Sequence, residues 1–186
     1  RVKCATLSWH TLVSAMENDG EEITTNESST DYSWNSGGYY NVTLTVTDED
    51  GETGEITKML QVVPEDYSEE GQGNELVDGA EDTVTYDLPV EIFVSSISIS
   101  FTDIGCVGLG GEVSYSIEVL DSDGNQIGQG NGNTACGGEG SSWSDTFTND
   151  NNEMPLGNYQ ISIAFTNGGT PVQTNWNYLF GVTYNF

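Results

Sequence analysis

An all-β fold of two β-sandwich modules is what this chain predicts, and three observations carry that prediction. Apolar and polar residues alternate with period two through most of the 186 residues. Clusters of Gly, Asp and Asn separate the alternating runs, where hairpin turns need them. No segment sustains a helical period, so sheets must supply the core.

The elements follow in order. Residues 10–18 fit either a short helix or a strand edge. In Tyr40-Asn-Val42-Thr-Leu44-Thr-Val46-Thr47 the apolar side chains face one way and Asn41, Thr43, Thr45 and Thr47 the other. That pattern predicts a half-buried strand with β-branched residues on both faces. Asp48-Glu-Asp-Gly51 is the turn, and Ile56 to Val63 the return strand. Residues 64–81 interleave seven acidic residues with Gly71, Gly73 and Gly79. They are expected to be an acidic linker extended by self-repulsion; a long surface loop within one larger sandwich is the alternative. Strands resume after Asp82. Val90, Ile92 and Val94 keep one parity and Ile97, Ile99 and Phe101 the other, so a bulge or a bend between sheets is expected at Ser95-Ser96. Val113 to Val119 is a clean strand, Asp121 to Asn125 its turn and Gln126 to Gly130 a weaker return. A Gly-rich loop is expected over residues 130–142, then strands around Trp143 and Phe147, Tyr159 to Phe165, and Tyr178 to Phe186.

Residues 1–63, and 32–63 most closely, resemble a polycystic-kidney-disease-type (PKD) domain, an Ig-like sandwich. Gly38-Tyr-Tyr-Asn-Val-Thr-Leu-Thr-Val-Thr-Asp48, Gly51 and the strand ending Leu60-Gln-Val-Val63 carry the likeness. The family's Trp-Asp-Phe-Gly-Asp-Gly hallmark is not intact; Ser8-Trp9-His10 and Asn18-Asp19-Gly20 are its nearest equivalents. The resemblance implies a spacer or interaction module without catalytic residues. It also implies missing early strands, hence an open sheet edge that invites strand addition. Either the chain belongs to a longer one or a neighbouring subunit supplies the strand. The expected modules are therefore 1–63, PKD/Ig-like and incomplete, and 82–186, a jelly-roll-like or Ig-like sandwich, joined by the linker 64–81.

Composition bounds function. Thirty Asp and Glu against three Lys and Arg give a formal net charge of −27. Self-repulsion on that scale destabilises a folded protein unless cations screen it. A saline or calcium-rich setting is expected, with a halophilic archaeon or similar microbe as source. With so few Lys and Arg, nucleic acid and anionic membrane are excluded as partners. No run approaches the ~20 apolar residues of a membrane span. The chain begins at Arg1, and residues 1–30 lack a signal-peptide pattern, so any export signal or anchor is expected outside them.

Cys106 and Cys136 lie in similar Gly-rich settings and are paired as a disulfide suited to an extracellular protein. Two buried thiols are the alternative, and Cys4 is left over. Asp121, Asp123 and Asn125 have the Asp-x-Asp-Gly texture of a calcium loop, though the same residues simply build hairpin turns. No cofactor is required, and calcium is the one candidate. Asn26 and Asn41 open glycosylation sequons. Trp143, Trp176 and Tyr178 suit a sugar-stacking platform or, with more weight, core. Trp9 and Trp34 are expected in the first core. His10 is the sole histidine and no Gly-x-Ser-x-Gly occurs, so no catalytic site is expected.

The sequence thus points to a non-enzymatic extracellular structural protein. Its expected role is subunit or segment of a pilus, filament or surface layer, self-associating or joining neighbouring surface proteins through sandwich edges or strand addition. The alternative is a carbohydrate- or calcium-dependent adhesion module of a larger secreted protein.

Overall fold

Period-two sequence becomes strand throughout. The computed structural model describes residues 11–16, 21–25, 34–47, 50–108, 111–150 and 153–185. Cys4, Trp9, His10, the Asn18 to Gly20 cluster and Asn26 lie outside them. Backbone contacts divide the chain into two units, Arg1–Val63 and Pro64–Phe186.

The described part of the first unit is one antiparallel sheet in the order β2-β1-β3-β4. Strand β1 (Thr11–Met16) settles the segment that the sequence left between helix and strand. It pairs with β2 (Glu21–Thr25) and β3 (Gly38–Thr47). Strand β4 (Thr53–Val62) returns along β3, with Gly38 opposite Val62 and Thr47 opposite Thr53. Gly51 takes a φ of 80° in the connecting turn, a conformation that favours glycine. Trp34 is half-buried against Tyr40, ring centroids 5.5 Å apart.

The second unit is a sandwich of two four-stranded antiparallel sheets, β10-β7-β12-β5 and β6-β11-β8-β9. Its strands are β5 (Tyr67–Val77), β6 (Asp82–Val90), β7 (Val94–Val107) and β8 (Glu112–Leu120). They continue as β9 (Gln126–Ala135), β10 (Ser141–Thr148), β11 (Gly157–Asn167) and β12 (Val172–Tyr184). First pairs with last, second with second-last, and so inward: β5 with β12, β6 with β11, β7 with β10, β8 with β9. A long hairpin folded over on itself gives this nesting, which is the jelly-roll arrangement.

Two expectations are corrected here. Residues 67–77 are no linker; they pair with β12 along their whole length, Tyr67 opposite Val182 and Val77 opposite Val172. Residues 130–135 are no loop; they continue β9 against β8. Both strands alternate glycine with polar residues, so their inward positions look empty in sequence. Rings fill them. A Cβ at Gly71 would lie 2.5 Å from Tyr178 Oη, and one at Gly73 would sit inside the Trp176 indole. Across the sandwich, a Cβ at Gly130 would lie 2.5 Å from Trp143 and one at Gly128 2.7 Å from Phe147; within its own sheet, one at Gly132 would lie 2.5 Å from Tyr115. Rings laid on bare backbone thus close both open sides of the sandwich.

The parity slip near Ser95 marks the crossing from one sheet to the other. Strand β6 lies in one sheet, Phe93 turns the chain at a φ of 70°, and β7 enters the other with a register shift between Val94 and Ser96. Between the sheets lie Phe101, Tyr159, Phe165, Trp176 and Phe180, all essentially without exposure. Phe101 meets Phe180 edge-on at 5.6 Å, and Phe165 meets Trp176 at 5.0 Å.

Candidate functional site

Charge in the second unit is entirely one-signed. Residues 64–186 hold 19 Asp and Glu and no Lys, Arg or His. Carboxylates collect on turns and outer strands, whereas residues 154–186, which include β11 and β12, carry no charged side chain.

Glu69 turns inward on the edge strand β5, at the same parity as Glu75. Glu69 is half-buried, because inward positions of β5 alternate with exposed Ser68 and Glu70. Tyr67 Oη donates to Glu69 Oε2 at 2.7 Å, and Tyr178 Oη donates to Glu69 Oε1 at 3.3 Å. The hydrogen bond to Glu69 raises the Tyr67 pKa; burial, then the Glu69 charge, raises that of Tyr178. The Tyr86 ring packs tilted against Tyr178, centroids 4.6 Å apart; its hydroxyl accepts from Trp176 Nε1 at 2.9 Å, and burial pushes its pKa up. The group is a carboxylate held by protonated phenols. It offers acceptors and donors but no activated nucleophile, and its chemistry is that of a structural clasp.

The disulfide is present. Cys106 and Cys136 are bonded with Cα atoms 4.5 Å apart. Cys106 ends β7 in one sheet and Cys136 follows β9 in the other, so the bond ties the two layers. Gly137 N donates to Cys106 O at 2.9 Å beside it. Closing a loop of 30 residues corresponds to about 3–4 kcal/mol in the chain-entropy treatment.

Asp121, Asp123 and Asn125 do come together, in the β8–β9 turn. Asp121 Oδ1 accepts from Asp123 N at 2.9 Å and Asn125 N at 2.8 Å, and Oδ2 accepts from Asn125 Nδ2 at 3.0 Å. Those bonds, led by the Asn125 side chain, lower the Asp121 pKa. Both oxygens therefore cap the turn, and the Asn125 amide presents its nitrogen, a donor, toward the carboxylate. Among the described residues no three His, Cys, Asp or Glu are placed to hold a metal.

The aromatic trio does not form a platform. Trp176 is 2% exposed and belongs to the core, Tyr178 lies against Glu69, and Trp143 covers Gly130. Asn41 is exposed on β3, where a glycan would meet solvent. An open hollow of about 710 Å³ lies between Gly111, Glu112, Asn167, Thr170 and Val172. Glu112 is the single ionisable group on its wall. No described helix is long and apolar enough to cross a membrane.

The feature most exposed to a partner is β4. Among the described residues it ends its sheet, and every position from Thr53 to Gln61 is exposed. Ile56, Met59 and Leu60 are among them, with Met59 at 68%. Sequence reasoning anticipated an open edge in this unit but placed it at missing early strands, not at β4.

No protein-family model matches the chain, and no curated protein matches it. Solved structures align with the chain at low similarity. One, from work on the promiscuous specificity of carbohydrate-binding modules of the β-sandwich superfamily, covers 97% of this chain and 87% of its own at 12% identity, with a TM-score of 0.30. A protein of the disulfide-linked pili that form Bacillus endospore appendages covers 65% and 90% at 10% identity and 0.36. VP2 of an infectious bursal disease virus subviral particle covers 69% and 35% at 11% identity and 0.44. Identities this low say nothing of function.

Proposed function

We propose that the protein is a non-enzymatic extracellular structural protein, a subunit or segment of a pilus, filament or surface layer in a saline habitat. Unit 1 is read as an incomplete PKD/Ig-like sandwich whose edge strand β4 pairs with the β4 of a second copy about a two-fold axis. The observation that carries the reading is β4, a ten-residue edge strand with Ile56, Met59 and Leu60 in solvent. An edge strand of that length and apolarity is a template for pairing with another chain. The one-signed charge of the second unit fits the same reading. Carboxylates keep copies apart in dilute buffer, and molar salt, with a Debye length of about 3 Å, lets them meet.

Sedimentation velocity across a salt series tests this. The protein sediments as oligomers in molar salt, and Ile56→Glu/Met59→Glu, which sets charge on the exposed edge, reduces their size. A protein that stays monomeric at every salt concentration overturns the reading.

A further inference from the structure

The outer face of sheet β10-β7-β12-β5 differs from the rest of this acidic surface. Rows across the sheet follow from register. Thr146, Ser98, Gly181 and Ser68 form one row, and Ser144, Ser100, Leu179 and Glu70 the next. Thr102, Asn177 and Gln72 form a third. Farther along, Val107, Gln173 and Leu76 lie side by side. Hydroxyls and amides dominate, and the two carboxylates sit apart: Glu70 on the edge strand, and Asp103 at a bulge, where it accepts from Asn177 Nδ2 at 2.7 Å. Three exposed aliphatic side chains stand on this face, Leu76 at 56%, Val107 at 67% and Leu179 at 47%. The outer face of the other sheet carries Asp87, Glu112 and Glu118 and no large exposed aliphatic residue among those described.

We propose that this face is a second self-association surface, on which the same face of another copy docks about a two-fold axis. The argument is electrostatic first. A contact between copies through the other sheet's outer face sets Asp87, Glu112 and Glu118 against their like, with no Lys, Arg or His in the unit to relieve it. Here each copy brings two carboxylates, Glu70 at the edge and Asp103 already held by Asn177, against three on the other sheet's face, and the exposed aliphatics gain cover. Area agrees. Four strands about 4.8 Å apart over about eight residues of about 3.3 Å give roughly 500 Å² per copy. Two copies bury roughly 1,000 Å², the lower bound for a specific contact. The association is therefore weak and needs screened charge.

The inference rests on the reading that the chain self-assembles, and it adds a consequence. A copy with one self-complementary contact stops at a dimer; a copy with an edge contact in one unit and a face contact in the other joins an open chain. The test is sedimentation velocity of the whole chain in molar salt. Gln173→Glu/Leu179→Asp charges the face, and Gln160→Glu/Gln129→Glu adds the same charge to the opposite sheet as control. Wild type and control form species larger than dimers, and the face variant stops at dimers. Should the double variant fail to fold, the near-isosteric Gln173→Glu alone replaces it, with the same expected direction. If the face variant polymerises like wild type, or if the control dissociates equally, the face proposal is overturned while assembly through β4 stands. A chain monomeric under all conditions overturns both. Saturable binding of a neutral polysaccharide to this face without any self-association also overturns it.

Discussion

Substituting Gly73 with alanine tests how the sandwich closes its β5 side. The added Cβ would occupy the space of the Trp176 indole, which cannot withdraw because it is 2% exposed and packs on Phe165. Displacement also breaks the 2.9 Å bond from Trp176 Nε1 to Tyr86 Oη. Overpacking of this kind costs about 1–3 kcal/mol, and the lost buried hydrogen bond about 1 kcal/mol. Alanine's stiffer unfolded chain returns about 0.5–1 kcal/mol, leaving a net loss of about 1–3 kcal/mol. For a unit of this size that lowers Tm by roughly 5–15 °C. Thermal unfolding in molar salt, followed by tryptophan fluorescence, measures it, with a red-shifted native spectrum as the indole gains solvent. Gly168→Ala is the control, since nothing lies within 4 Å of its added Cβ; its Tm stays close to wild type. If Gly73→Ala melts with wild type and keeps its spectrum, the ring does not lie on the glycine and the closure argument fails.

Further outcomes are expected. Reducing Cys106–Cys136, or replacing both with alanine, lowers unfolding free energy by about 3–4 kcal/mol in denaturant titration; an unchanged midpoint contradicts the inter-sheet tie. Tyr159 is buried near Asp121 and Asp123, and burial first, then those charges, pushes its pKa to about 12. Between the ordinary tyrosine value near 10 and 12 the folded state holds a proton that the unfolded state has lost, so stability falls as pH rises through that window. Tyrosinate absorbance against pH checks this, and a Tyr159→Phe variant loses one tyrosine's share of the late-titrating absorbance, to which Tyr67, Tyr86 and Tyr178 also contribute. Because Asp121's oxygens already accept from turn N–H groups, calcium raises Tm no more than magnesium at equal ionic strength. A calcium-specific rise would reveal a site at Asp121, Asp123 and Asn125.

Legibility followed the side chains. Strands β8 and β11 were readable because Val, Ile, Tyr and Phe occupy their inward positions, and β3 because Tyr40, Val42, Leu44 and Val46 alternate with Asn and Thr, although residues 42–47 are evenly half-buried. Strand β5 and the second half of β9 were not, because glycine occupies the inward positions and the filling atoms belong to Tyr178, Trp176, Trp143 and Tyr115. Period two was nonetheless present, as Gly71 and Gly73, and as Gly128, Gly130 and Gly132. Glycine at every second position is a strand signal when enough large rings elsewhere need a bed. Residues 64–81 looked like a linker for the same reason, reinforced by charge that an edge strand tolerates equally well. The Cys106–Cys136 pair was readable from matching local sequence. Asp121 illustrates the opposite problem: an Asp-x-Asp-Gly run is the same whether its carboxylate holds an ion or its own turn, and only hydrogen bonds distinguish them. Trp176 was open between platform and core until its cross-strand partner proved to be Gly73.

Amide hydrogen exchange of residues 53–62, compared between dilute buffer and concentrated protein in molar salt, bears most directly on assembly through β4. Strand addition gives the outward amides of β4 new partners, so their exchange slows on assembly while the β5–β12 ladder stays equally protected in both. Equal exchange of β4 in the two conditions, with oligomers present, would contradict the account.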